Sequence, residues 1–432
     1  MFSAAFFVVL CFFLHIFLPA RLILIPVAGL LVLGIAWKFP KTCLLMLLVL
    51  LLVQPMALLV MKFLQMPDTW VAAVSAVKEA GMATVLLSLV LDRSSRLTVP
   101  DIFLVGLLLL ALISGVSSST PDMFIGLKDD FDFVLAYGVG RVLITDEQQQ
   151  FACVRLGLVA IAVVAALGVV EFIFLGPAPR MLLEGLSSAD QLSPTFGAEA
   201  FHGYRAASTL TSPIELGHIC TIALLFFVAY RHLLKWPYWI AAVITAAGLI
   251  VSVTRSAWMG AVIGLCLIAV RVRQKLKLAL LLLAAICALF IAAPLVGISD
   301  FLSITLKGKE PSLQGHMKSL SDMTRYVVDH PLGSGPGSAG VRAVEREPNA
   351  PIAESSYLHF GLEYGLAGTL LFAAFCASVI IYTLRDGSTF GIAASAVALA
   401  FTVIYAFVSP PIDFPGATWT WLPIGLAIRS RS

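Results

Sequence analysis

The chain has 432 residues, of which 60% are hydrophobic and only 12% charged, with a mean hydropathy of +0.98. A soluble domain carries about 25% charged residues. Half that share, with many apolar runs of roughly 20 residues, excludes an ordinary soluble domain and indicates a polytopic α-helical membrane protein. The runs alternate too little for barrel strands. A net charge of +3 gives no reason to expect a nucleic-acid partner.

At the N-terminus, MFSAAFFVVLCFFLHIFLPAR lacks a positive n-region, and its apolar core is too long for a cleaved leader; an uncleaved first span over 2–19 is expected. Further spans are predicted at 22–37, 42–61, 71–91, 100–117, 123–144, 154–175, 213–230, 237–254, 256–272, 278–296, 356–383, 389–408 and 417–428. That makes about twelve to fourteen transmembrane helices in one all-α bundle, a single polytopic domain over 1–432. Seven cysteines (Cys11, Cys43, Cys153, Cys220, Cys266, Cys287 and Cys376) lie in or beside these segments. They read as small buried hydrophobes, and no CxxC pair suggests a metal site or a disulfide frame.

Lys38/Lys41, Arg93/Arg96, Arg141, Arg231/Lys235, Arg271/Arg273/Lys275/Lys277 and Arg385 fall in alternating short loops. The opposite short loops hold few basic residues, chiefly Arg21 and Lys62. By the excess of Lys and Arg on the inner side, the first set is cytoplasmic and the long loops 176–212 and 297–353 are external. In a bacterium with an outer membrane, that face of the inner membrane is periplasmic. Within the second loop, Met317, Leu320, Met323 and Val327 recur at helical spacing. A short amphipathic helix over 316–329 is predicted, lying on the membrane with Arg325 off its apolar stripe. It ends before His330-Pro331, since a residue preceding proline avoids helical geometry. Gly333, Gly335, Gly337 and Gly340 then form a flexible turn with exposed amides.

The polar residues that could carry chemistry are few. Arg255, in VSVTRSAWMG, sits at the turn between two apolar segments. Arginine inside a membrane costs at least ~2.5 kcal/mol, so it either snorkels to the interface or faces a polar cavity, where its fork suits phosphate. Arg205 and Arg325 are external, as are Arg180, Arg342 and Arg346; alone, each is a solvated charge, but three converging would clamp a pyrophosphate. The glycine turn is either an ordinary tight turn or a nest of amides for an anion. Glu354 either caps the outer start of the next span or acts as a general base. Glu363, deeper in that span, needs a partner, with Arg255 the candidate. Asp129, Asp130 and Asp132 read as a partly solvated turn paired with Lys128, or as oxygen ligands for a hard cation. Lys78 and Glu79 need internal partners. His359 reads as a hydrogen-bonded core residue, and His330 beside the glycine turn is the histidine to test.

In order, TRSAW (254–258), Arg325 followed by PLGSGPG (331–337), and ESSYLHFGLEYGLAG (354–368) resemble the O-antigen ligase/polymerase family. The likeness covers the last half of the chain by motif. It implies a metal-independent glycosyltransferase of the bacterial inner membrane, acting at the periplasmic face without a cofactor. Its substrates would be undecaprenyl-diphosphate-linked oligosaccharides as donor and acceptor. Its surroundings would be membrane lipids, with a chain-length regulator or other assembly proteins as partners. The resemblance implies that Arg205, Arg255 and Arg325 engage the carrier diphosphate and that Glu354 is the base. Gly335, Gly337, His330, Tyr357 and Glu363 are its supporting positions. Glu354-Ser355 stands where ligases tend to have His-Asn, which favours a polymerase over a ligase. Ile214 stands where the family often has asparagine. A transporter of lipid-linked oligosaccharide would instead show paired broken helices in two related halves, which the hydropathy pattern does not suggest.

Overall fold

The computed structural model describes residues 33–91, 97–116, 120–143, 146–185, 204–271, 311–348, 350–408 and 414–429. The expected spans 2–19 and 278–296, and most of 22–37, lie outside them, as does much of each long loop. The described helices are α1 (Pro40–Leu51), α2 (Gln54–Phe63), α3 (Asp68–Leu91), α4 (Val99–Gly115), α5 (Thr120–Val142), α6 (Glu147–Val170), α7 (Ala178–Glu184) and α8 (Pro213–Tyr230). They continue as α9 (Trp236–Val251), α10 (Arg255–Arg271), α11 (Pro311–Asp329), α12 (Val341–Arg346), α13 (Ser356–Leu384), α14 (Thr389–Ile404) and α15 (Phe414–Arg429). The chain is an all-α, multi-pass membrane protein.

Among the described residues, α3, α6 with its following π turn, α8 and α13 are long and apolar enough to cross a bilayer. The expected span 42–61 is not one helix: α1 and α2 meet at a bend of 56°. Pro55, at the second position of α2, has no amide to donate and disfavours helical geometry just before it. The hydroxyl of Thr209 donates to the carbonyl of Leu52 at this break. α4, α9 and α14 are shorter apolar helices.

At one end, Arg271 closes α10 and donates to the carbonyl of Leu384, the last residue of α13. Arg231, Lys235 and Arg385 flank helix ends at the same level. At the other end lie the starts of α8, α10 and α13; there the Ser356 amide bonds the carbonyl of Tyr405, just past α14, at 2.8 Å. Cys43, Cys220 and Cys376 are buried, as expected, whereas Cys266 faces outward from α10. An apolar cavity of about 240 Å³ near Lys41 and Gln149 lies toward the basic end, and none of Arg205, Arg255 or Glu354 lines it.

α5 and α15 cross at backbone distance. A Cβ on Gly425 would lie 2.3 Å from the carbonyl oxygen of Tyr137, so only glycine permits this crossing. Above it, Arg141 grips Asp101 at the start of α4 through two bonds, 3.1 and 2.9 Å, and the Tyr137 hydroxyl adds a third at 2.8 Å. Arg141 is buried, so removing its partner strands a charge. Asp101→Asn is expected to destabilise the protein by about 3 kcal/mol, measured as a lowered unfolding temperature in detergent.

The feature that shapes the site is a break in α13. Gly365 has φ +68° and ψ −167°, a positive-φ conformation in which a residue with a side chain is strained. A Cβ there would also sit 2.1 Å from the carbonyl oxygen of Pro331. The break frees backbone groups of the first turns, and the glycine turn fills them. Ser334 and Gly335 amides donate to the carbonyls of Leu362 and Glu363 at 2.8 and 2.9 Å, and the Leu366 amide donates back to Pro331 at 3.0 Å. The loop is thus stitched into the helix.

Candidate active site

The site is built where the starts of α8 and α10 meet the end of α9. Glu171, at the end of α6, accepts from the amides of Ala207 and Ser208 at 3.3 and 2.6 Å and from the Tyr204 hydroxyl at 2.6 Å. This fixes the strand-like stretch that carries Arg205. Arg180, expected as an exposed charge, is instead buried beside this stretch and pairs with Glu184 at 3.8 Å. The Ala206 amide bonds the carbonyl of Val251 at 3.1 Å, tying the stretch to the end of α9.

The turn between α9 and α10 is wound tightly. Val253 has φ +48°, a left-handed conformation that costs a β-branched residue about 1–3 kcal/mol. Its neighbours hold it: the Trp258 indole donates to Leu249 at 2.9 Å, and Thr254 Oγ1 donates to the carbonyl of Pro213 at 3.0 Å. Arg205 Nη2 donates to the same Thr254 oxygen at 3.1 Å, and its Nε to Ser252 at 3.2 Å. The TRSAW motif is therefore a turn lock around Arg255. Neither Thr254 nor Trp258 stood out from sequence, because a hydroxyl and an indole near a span end have many ordinary uses.

Arg255 is the first residue of α10. A cation there opposes the helix dipole, whose positive end it occupies. Arg205 faces the same spot: burial, and then the neighbouring Arg255 charge, push its guanidinium down to about 10. It remains protonated at neutral pH. Two like charges and a helix start thus converge where an anion would be stabilised.

The anionic and imidazole groups come from the far side. α11 begins five residues before the predicted start and ends at Asp329 as predicted. Its buried face carries Met323, Tyr326 and Val327; Met317, expected on that stripe, is exposed. The face instead extends back to His316, at i−4 from Leu320. His316 Nδ1 pairs with the Glu354 carboxylate. Glu354 does not cap α13 as expected: Ser355 is the N-cap residue, and Glu354 turns away toward α11. Burial first, and Arg255 second, hold His316 below its ordinary value near 6.5. His316 is thus within electrostatic reach of Arg255.

Arg325 does not join them. Nine residues on from His316, it lies about 13 Å along the helix and about 180° around it. Its side chain is 87% exposed and pairs with Asp329 on its own helix at 3.9 Å. The convergence in the structure is of two guanidinium groups, not three. His330 is also apart, exposed and stacked on Tyr326 with ring centroids 4.1 Å apart. Tyr357 is half-buried and donates to the carbonyl of Thr402 at 2.9 Å, bracing the start of α13.

Glu363 finds a partner other than Arg255. Its carboxylate accepts from the amides of Gly337 and Ala339 at 2.9 and 3.1 Å. The glycine turn is a nest of amides, as one reading had it, but the acceptor it holds is the protein's own carboxyl group. Its amides are buried and occupied rather than exposed. Arg346 donates to the carbonyl of Gly337 at 2.7 Å from the other side. His359 is the hydrogen-bonded core histidine expected, with Nε2 2.8 Å from Asp130. Asp130 also accepts from the Tyr364 hydroxyl.

The acidic cluster is thus not a solvated turn. Asp130 and Asp132 are buried mid-helix, and Lys128 pairs across to Glu79 at 3.2 Å, which also answers for Glu79. Donor atoms of Asp130, His359 and Glu363 lie within 4.8 Å of one another. The 2.8 Å between His359 and Asp130 is a hydrogen-bond separation. Two atoms on one ion at about 2.1 Å each would stand about 3.4 Å apart in tetrahedral geometry. The trio acts as a lock for the loop.

The O-antigen ligase family model matches residues 240–373. The matched stretch, under a third of the chain, makes this part similar to that family; it begins inside α9 and ends inside α13. It contains the 252–255 turn, α11, the glycine turn and the Glu354 to Gly368 element, while Arg205 is supplied from outside it. Comparison with curated proteins returns no match.

Proposed function

We propose that the protein is a polysaccharide-assembly glycosyltransferase that polymerises undecaprenyl-diphosphate-linked repeat units at the periplasmic face of the inner membrane. The observation that carries this reading is that Arg205 bonds Ser252 and Thr254 in the turn that immediately precedes Arg255 at the start of α10. A sugar bonded through its anomeric carbon to diphosphate is already activated. What the enzyme adds is charge neutralisation on the departing diphosphate and a held acceptor hydroxyl. Arg205, held by Ser252 and Thr254 before substrate arrives, and Arg255 at the start of α10 supply the first with little reorganisation. A hydroxyl attacking from the opposite face would invert the anomeric centre. Glu354-Ser355, in place of the ligase-like His-Asn, favours chain extension over transfer of a finished chain. The exposed Arg325 remains available to a phosphate or headgroup approaching from outside.

The test is incubation of the purified full chain with undecaprenyl-diphosphate-linked oligosaccharide and separation of the products by size. A ladder of chain lengths is expected. A single transfer to a lipid A-core acceptor makes the protein a ligase, and translocation of lipid without new glycosidic bonds ends the enzymatic reading.

A further inference from the structure

The pairing of His316 with Glu354 is not accounted for by phosphate binding. His316 is delivered by α11, and Glu354 by the segment just before α13. The contact is made through Nδ1. A carboxylate beside the ring orients the imidazole and stabilises its protonated form. The same contact engages the carboxylate, so Glu354 is less available to take a proton itself.

We propose that His316, oriented by Glu354, is the base that accepts the proton of the attacking hydroxyl, with Glu354 as its positioning residue. This rests on the diphosphate-transfer reading above. The acceptor O–H gives its proton to the His316 imidazole as its oxygen bonds to the anomeric carbon. The bond from that carbon to the diphosphate oxygen breaks, and its electron pair leaves on the diphosphate, which Arg205 and Arg255 neutralise. Glu354 stabilises the imidazolium that forms. Arg255 opposes it, which favours passing the proton on to the departing diphosphate or to water.

The charge environment suits this role. The groups facing His316 from other elements are Glu354 and, from α10, Arg255. Burial and Arg255 keep the imidazole neutral at physiological pH, the form a base requires.

The experiment compares wild type, His316→Gln and Glu354→Gln as full chains in lipid nanodiscs. Binding is read with undecaprenyl diphosphate, and turnover with undecaprenyl-diphosphate-linked oligosaccharide across pH. His316→Gln is expected to lower kcat at least about 100-fold, leave undecaprenyl diphosphate binding within about threefold, and abolish the acidic limb of the pH–rate profile. Glu354→Gln is expected to lower kcat less and move that limb to lower pH, because an imidazolium without its carboxylate is less stable. Two results would overturn the proposal: His316→Gln turning over at wild-type rate while Glu354→Gln does not, or His316→Gln raising KM alone with loss of binding. A wild-type chain that does not bind undecaprenyl diphosphate removes the proposed function itself, and this inference with it.

Discussion

Arg255→Ala is expected to lower sugar transfer by about two to three orders of magnitude, the loss typical when one preorganised electrostatic group is removed from a transition-state site. The reasoning starts from placement. Arg255 begins α10, where the helix dipole disfavours a cation, and it stands beside Arg205. A strained Val253 precedes it, with Thr254 and Trp258 bonded to hold the turn. Guanidinium groups so placed are stabilised further when negative charges arrive between them. Arg255→Lys is expected to recover only part of the rate, since ammonium retains the charge but not the planar fork. The measurement is initial rate of glycosidic bond formation, with membrane insertion checked in parallel. A normal rate in Arg255→Ala would sink the assignment of the arginine pair.

Glu363→Ala is expected to destabilise the protein by about 5 kcal/mol. It leaves the buried amides of Gly337 and Ala339 without an acceptor, at about 1–3 kcal/mol each. It also removes one member of the Asp130–His359–Glu363 group, a neighbour 3.7 Å from His359 Nε2. A loss of this size is a large share of the stability of a typical domain, roughly 5–15 kcal/mol. The signature is specific: proteolytic cleavage within 333–340 should rise before global unfolding, because the nest opens first. Equal protease resistance in wild type and variant would show that the turn is held by something else. Unlike Arg255→Ala, this variant is predicted to fail in stability rather than chemistry, and the two readouts separate the roles.

Much of the architecture was legible in the sequence. Long apolar runs declare spans because backbone groups in lipid must be satisfied within a helix. The boundary at Arg255 and the end of α11 at Asp329 were also readable, since both follow from local rules. What failed depended on contacts between distant segments. The partner of Glu363 is a loop more than twenty residues away, and Asp130 meets His359 across 229 residues. Periodicity alone could not choose between Met317 and His316 as the end of the buried face of α11; the choice was made by Glu354 lying opposite. Arg325 looked equivalent to Arg255 in the sequence, and only the helix that carries it turns it outward.

The stitching of the 331–339 turn into the break at Gly365 bears on the order of biosynthesis. The turn leaves the ribosome before the residues that complete it: its amides wait for Leu362 and Glu363, and α13 cannot cross its own discontinuity until Pro331 is alongside. Neither piece is a folding unit. A nascent chain halted between the two would hold an unfilled polar loop at the bilayer surface, so the outer loop and the helix after it mature in a single late step.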